Sequence, residues 1–194
     1  MSNFRLVVAI TGASGAIYGV KLLQLLNKRN VETHLVISKA GLLTLCDETP
    51  FSLAEVKALA THYYNYKDIG ATLASGTFSH DGMVVAPCSM HTLAAIAHGF
   101  DHNLISRAAT VTLKERRKLV ILARETPLTL AHLANMTAAT QMGAIIMPPI
   151  PAFYSKPKTI DDLISYMAFR VLDQFKLNSE IDYARWQGYK KMSE

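Results

Sequence analysis

A chain of 194 residues, half of them hydrophobic and 18% charged, is long enough to bury a substantial core in one domain. No apolar run reaches the ~20 residues that cross a bilayer, and the N-terminus lacks the charged, apolar, small-residue order of a secretory signal, so a cytoplasmic protein with no membrane partner is expected. The net charge of +5 favours anionic partners, small phosphorylated ligands as well as nucleic acid.

The first segment, FRLVVAI (4–10), is almost continuously apolar and rich in β-branched residues, as a strand covered on both faces should be. TGASGA interrupts it, and from Ile17 to Lys28 the leucines and Val20 predict a helix with a broad buried face. In Gly12-Ala13-Ser14-Gly15 the glycines permit a tight turn and close approach of a ligand, while the helix that follows aims free N–H groups and partial positive charge into the turn. That describes a phosphate seat, although a ligand-free strand-to-helix turn reads the same way. The stretch is neither GxGxxG nor a Walker loop, and Ala16 breaks the GxSxG pattern of a nucleophile elbow.

VETHLVIS (31–38) gives a second strand, followed by a helix through Leu42 and Leu45 to the Glu48-Thr49-Pro50 stop and by another across LAEVKALA (53–60), capped by Ser52. Residues 61–81 show the least regularity. GMVVAP (82–87) is a short strand, after which Ser89 caps a helix over MHTLAAIAHG (90–99). Cys88 has no partner histidine in sequence and forms no CxxC pair with Cys46, so both read as thiols of a reduced compartment.

NLISRAATVTLKERRKLV (103–120) places Arg107 and Lys114 seven residues apart on one helix face, a pair that suits a phosphate. The KERRK end is equally a solvated helix terminus, and no interleaved aromatics support nucleic-acid binding. Strands are expected at KLVILA (118–123) and GAIIMP (143–148), and a final helix at TIDDLISYMAFRVLDQF (159–175) with Arg170 at the border of its apolar stripe. Arg124 and Glu125 follow a strand end, where an arginine can hold a phosphate and a glutamate can exchange protons. Neither DDxxD nor a zinc-spaced His/Cys cluster is present, so no metal is expected. Alternating strands and helices imply a parallel sheet between helix layers, with ligands beyond the carboxyl ends of the strands where strand order reverses.

ITGASGAIYG, LVISKA, the ETP after Cys46, VVAPCSMHTLAAIAHG, DHNLISRAATVTLKERRKLVILARETPLTLAHLANM, PPIPAFYSKP and DDLISYMAFRVLDQF together resemble the flavin prenyltransferases of the UbiX type, over nearly the whole chain. The nearest branch is the one associated with phenolic and hydroxyarylic acid decarboxylases. The resemblance implies a single flavodoxin-like or Rossmann-like α/β domain over residues 1–194, assembled as a homododecamer. It implies a transferase that joins a dimethylallyl group from the monophosphate to N5 and C6 of reduced FMN, making prenylated FMN for a UbiD-type decarboxylase without a metal.

Carried onto this chain, the resemblance implies that Gly12, Ala13, Ser14, Ser38, Ser89, Met90, His91, Thr92 and Arg124 hold FMN. It implies that Tyr154, Arg170, Lys114 and Arg107 hold the dimethylallyl phosphate, and that Ser14, Glu48, Lys114 and Glu125 do the chemistry. His91 stands where the branch often has lysine. Three other readings compete: a flavin-dependent cysteine decarboxylase, whose catalytic histidine and PxMN-type segment are not visible here; a direct decarboxylase of phenolic acids; and a flavin carrier without turnover.

Overall fold

The computed structural model describes residues 4–177 together with 185, 186 and 188, so the two ends of the 1–194 domain lie outside the described residues. Six parallel strands form one sheet: β1 (Arg5–Ile10), β2 (Glu32–Ile37), β3 (His62–Asn65), β4 (Gly82–Cys88), β5 (Lys118–Ala123) and β6 (Ile145–Ile146), in the order β3-β2-β1-β4-β5-β6. Between them run α1 (Ala16–Lys28), α2 (Lys39–Glu48), α3 (Leu53–Ala58), α4 (Met90–His98), α5 (Leu104–Lys114) and α6 (Leu130–Gln141), and α7 (Ile160–Gln174) follows β6.

The pleat explains the layers. In β1, Leu6, Val8 and Ile10 join a core with α1, Leu45 of α2, Val56 of α3 and the α7 residues Ala168, Val171 and Leu172, whereas Val7 and Ala9 join a second core with α4, α5 and Ala139 of α6. Every residue from Leu6 to Ile10 is fully buried, which is why this strand reads as an unbroken apolar run. At roughly 1.5–3 kcal/mol per fully buried large aliphatic side chain, these two cores are the main favourable contribution to the fold.

The expected elements form, with three differences. The segment 61–81 contains a strand, β3, held on β2 from His34–His62 to Ile37–Asn65. The strand expected over 143–148 contracts to Ile145–Ile146, because Gly143 takes a left-handed φ of 102° and Pro148 and Pro149 end the ladder. In α7, Ile160 falls on the apolar stripe by spacing yet is 77% exposed, and Tyr166 takes a buried place instead.

The strand order reverses between β1 and β4. Their carboxyl ends, with the turns after them, therefore border the crevice in which such sheets place ligands.

Candidate active site

Thr11 ties the two strands at the switch point. Its hydroxyl donates to the Pro87 carbonyl at 2.9 Å and accepts from the Ser89 N–H at 2.8 Å, fixing the start of α4 relative to the β1 turn. Gly12 is demanded by packing, since a Cβ there would lie 2.3 Å from the Ala40 Cβ. Gly15 is demanded by conformation, with φ 102° at the N-cap of α1.

On one side of this turn lies a cavity of about 510 Å³ onto which three helix starts open. Ser38 caps α2 by accepting from the Gly41 N–H at 2.9 Å, Ser89 caps α4 by accepting from the Thr92 N–H at 3.3 Å, and Asn103 caps α5 by accepting from Ile105 and Ser106. Gly12, Lys39, Lys67, His91, Thr92 and His102 also line it, with the His91 and His102 rings in edge contact at 5.2 Å. Among the described residues no carboxylate borders this cavity, and its hydroxyls, two ammonium groups and three helix dipoles all favour a phosphate.

On the other side is a second cavity of about 500 Å³, lined by Ser14, Gly15, Tyr18, Glu48 and Arg124 with an apolar flank of Ile17, Pro149, Ile160 and Ile164. Glu48 Oε2 accepts from the Gly15 N–H at 2.7 Å and from the Ala16 N–H at 3.4 Å. The free N–H groups expected at the start of α1 are thus already taken by a carboxylate, and the phosphate-favouring helix ends are those of α2, α4 and α5. Partial burial pulls the Glu48 carboxyl upward. The hydrogen bonds from Gly15, Ser14 and Ala16 and the positive charge of Arg124 outweigh this and hold it below the ordinary glutamate range. Half apolar and half polar, the second cavity suits a planar aromatic ring with polar edges.

The remaining candidates are not gathered at these cavities. Ala13 lies in the turn between them, and Met90 packs against the α4–α5 core. Glu125 is exposed just beyond Arg124, accepting from the Thr126 N–H at 3.0 Å. Tyr154 meets the Tyr166 hydroxyl on α7, one turn before Arg170, which bonds Asp173 at 3.1 Å. Arg107 donates to the Ala74 carbonyl at 3.1 Å and to Asp101 at 3.0 Å. Lys114 ends α5 at the amino edge of the sheet, paired with Glu115, about a strand length from Arg124. Cys88 is fully buried and its thiol is pushed far up by burial, which removes it as a thiolate nucleophile.

Sequence reasoning passed over Lys67, Tyr66, His102 and Asn103 in the first cavity and Tyr18 in the second. Asn103 carried a readable signal, an asparagine directly before a helix pattern. The others become site residues only through the fold. Among the described residues, Glu32, His34 and His62 form a group close enough to share a metal ion, and it lies at the amino ends of β2 and β3, away from both cavities.

The flavoprotein family model matches residues 1–172. The chain is 54% identical over 186 residues to the flavin prenyltransferase UbiX of Escherichia coli K12, covering 95% of this chain and 98% of that protein. The structure of AnUbiX (PadA1) in complex with FMN and dimethylallyl pyrophosphate superposes with a TM-score of 0.95 at 51% identity, covering 97% of this chain and all of that one. A dodecameric FMN-dependent UbiX-like decarboxylase from Escherichia coli O157:H7 superposes with a TM-score of 0.92 at 51% identity, covering 95% of this chain and all of that one.

Proposed function

The chain belongs to the flavoprotein family and, within it, to the UbiX-type flavin prenyltransferases, and on that premise we propose how its residues share the reaction. The enzyme is a transferase that acts on FMN. The observation that carries the assignment of roles is the pair of cavities flanking residues 12–15, one cationic and ringed by helix starts, the other half apolar with one carboxylate and one guanidinium.

In this reading Ser38, Ser89 and Thr92 bind the FMN phosphate, with His91 beside them and Gly12 allowing close approach. The flavin ring reaches past Ala13 and Ser14 toward Glu48 and Arg124, and Met90 borders it from α4. FMN supplies the nucleophilic N5 and C6 positions of a reduced flavin, and the chain's part is orientation and charge. The prenyl donor is dimethylallyl monophosphate. Breaking its allylic C–O bond leaves phosphate and a cationic carbon, so the donors Tyr154, Arg170, Lys114 and Arg107 stabilise the leaving group in place of a metal.

One chain places Arg107 and Lys114 on α5 and Tyr154 and Arg170 at α7, in the helix layers on opposite faces of the sheet, while Leu130, Ile150, Phe153 and Ile160 are large exposed apolar side chains. A homododecamer, as in the Escherichia coli O157:H7 neighbour, buries such surface and brings cations of one copy to the cavity of another. The product passes to a UbiD-type decarboxylase. A cytoplasmic location belongs to the same reading, resting on Cys46 and Cys88 being free thiols; among the described residues no helix is long and apolar enough to cross a membrane.

Ring closure at C6 releases a proton. Glu48, held ionised by backbone N–H groups, is a weak acceptor and acts as an electrostatic anchor with Ser14, which leaves Glu125 or the departing phosphate as the base. Glu125→Gln is expected to slow prenylation in stopped-flow absorbance while FMN fluorescence quenching, which reports binding, is unchanged. An unaltered rate removes Glu125 from the mechanism.

A further inference from the structure

We propose that Glu32, His34 and His62 form a divalent transition-metal site at the amino edge of the sheet, presenting one carboxylate oxygen and two imidazole nitrogens to an ion such as Zn²⁺. The site lies on the far side of the fold from both cavities and has no part in prenyl transfer.

Glu32 Oε1 is 3.2 Å from His34 Nε2 and 3.7 Å from His62 Nε2, and all three donor atoms lie within 4.8 Å of one another. Two ligands about 2.1 Å from a tetrahedral Zn²⁺ are themselves about 3.4 Å apart, so the two Glu32–histidine separations bracket the edge of such a polyhedron. Two imidazoles and one carboxylate are a borderline-soft set that selects Zn²⁺, Co²⁺ or Ni²⁺ over Mg²⁺ or Ca²⁺.

The outer groups are arranged as ligating side chains require. His34 is 2% exposed, and its other nitrogen, Nδ1, is 3.0 Å from the Tyr64 hydroxyl, which can accept the ring proton and leave Nε2 as a lone pair. Arg5 donates to Glu32 Oε2 at 2.9 Å and so turns Oε1 toward the histidines. The two strand starts are locked by reciprocal bonds, Thr33 N–H to the Thr61 hydroxyl at 3.0 Å and Thr61 N–H to the Thr33 hydroxyl at 3.1 Å. The His34 and His62 rings stack at 4.8 Å and 23°, so coordination requires the His62 ring to turn. Its side chain is 50% exposed and beside an open cavity of about 530 Å³, which gives it room and leaves a fourth position for water. Such an ion clips the short edge strand β3 to β2.

The test is titration of the EDTA-stripped full-length protein with Zn²⁺ by calorimetry and with Co²⁺ by visible absorbance, for the parent chain and for His62→Ala. The expected result is one Zn²⁺ per chain, the intense d–d bands of four-coordinate Co²⁺, and a loss of at least about tenfold in affinity in the variant, with circular dichroism unchanged. Glu32→Gln, which keeps the side-chain shape, is expected to weaken binding as well. Equal Zn²⁺ affinity in parent and both variants, or only the pale spectrum of hydrated Co²⁺, overturns the proposal and leaves a proton-satisfied polar cluster.

Discussion

Glu48 is the side chain on which the second cavity turns. Reaching back 33 residues to Gly15, it satisfies N–H groups at the start of α1 that a shorter local cap would otherwise take, and it faces Arg124 across the cavity. Its folded-state pKa is depressed, so its ionised form contributes stability above the ordinary glutamate value near 4.5, and that contribution is lost as pH falls through the lower folded value. Thermal unfolding followed from pH 6 downward is therefore expected to show a drop in melting temperature below about pH 4.5 that is smaller in Glu48→Gln. An identical pH dependence in both proteins contradicts the capping role. Gly12→Ala is expected to cost about 1–3 kcal/mol by denaturant titration, because the Ala40 Cβ has no room to move without shifting α2. At this scale the sequence made Gly12, Ser38 and Ser89 readable, since each sits directly at a strand end or a helix start. The Glu48 contact and the Glu32–His34–His62 group were not readable, because Glu48 lies 33 residues from Gly15 and His62 lies 28 and 30 residues from its partners on β2, and they meet only through the fold.

Among the elements, the β1–β4 pair and the helix starts after it position the first cavity. Thr11 holds the pair by one donated bond, which is buried, and one accepted bond, which is partly buried. Thr11→Val keeps the volume and removes both, leaving the Ser89 N–H without this partner, and is expected to cost about 1–3 kcal/mol and to weaken FMN binding in a fluorescence titration. Unchanged affinity would show that α4 is positioned by its own packing. Most elements were legible because their signals are local: β-branched runs for β1, β2, β4 and β5, and Ser or Asn caps for α2, α3, α4 and α5. The edge strand β3 was not, since HYYN is a four-residue stretch without alternation, and it becomes a strand only by pairing with β2. At the start of α7, Ile160 fits the helical stripe but overlies the second cavity rather than the core.

For the whole molecule, the account ties catalysis to assembly. Tyr154 and Arg170 at α7 stand apart from Arg107 and Lys114 on α5 in one chain, and the exposed Leu130, Ile150, Phe153 and Ile160 give that chain a reason to associate. Leu130, at 83% exposure on α6, can be replaced by Glu without touching the core; Leu130→Glu is expected to shift the particle to smaller sizes by light scattering and to abolish prenyl transfer. A smaller particle with full activity contradicts the shared site. Composition and charge pointed to anionic ligands, but the resemblance of whole motifs, and not the composition, made the chemistry legible. The most direct test of the central claim is mass spectrometry of the flavin extracted after anaerobic incubation with reduced FMN and dimethylallyl monophosphate, with the pyrophosphate run in parallel. The account predicts the mass of FMN plus one C5H8 unit from the monophosphate; unmodified FMN beside intact donor would contradict it.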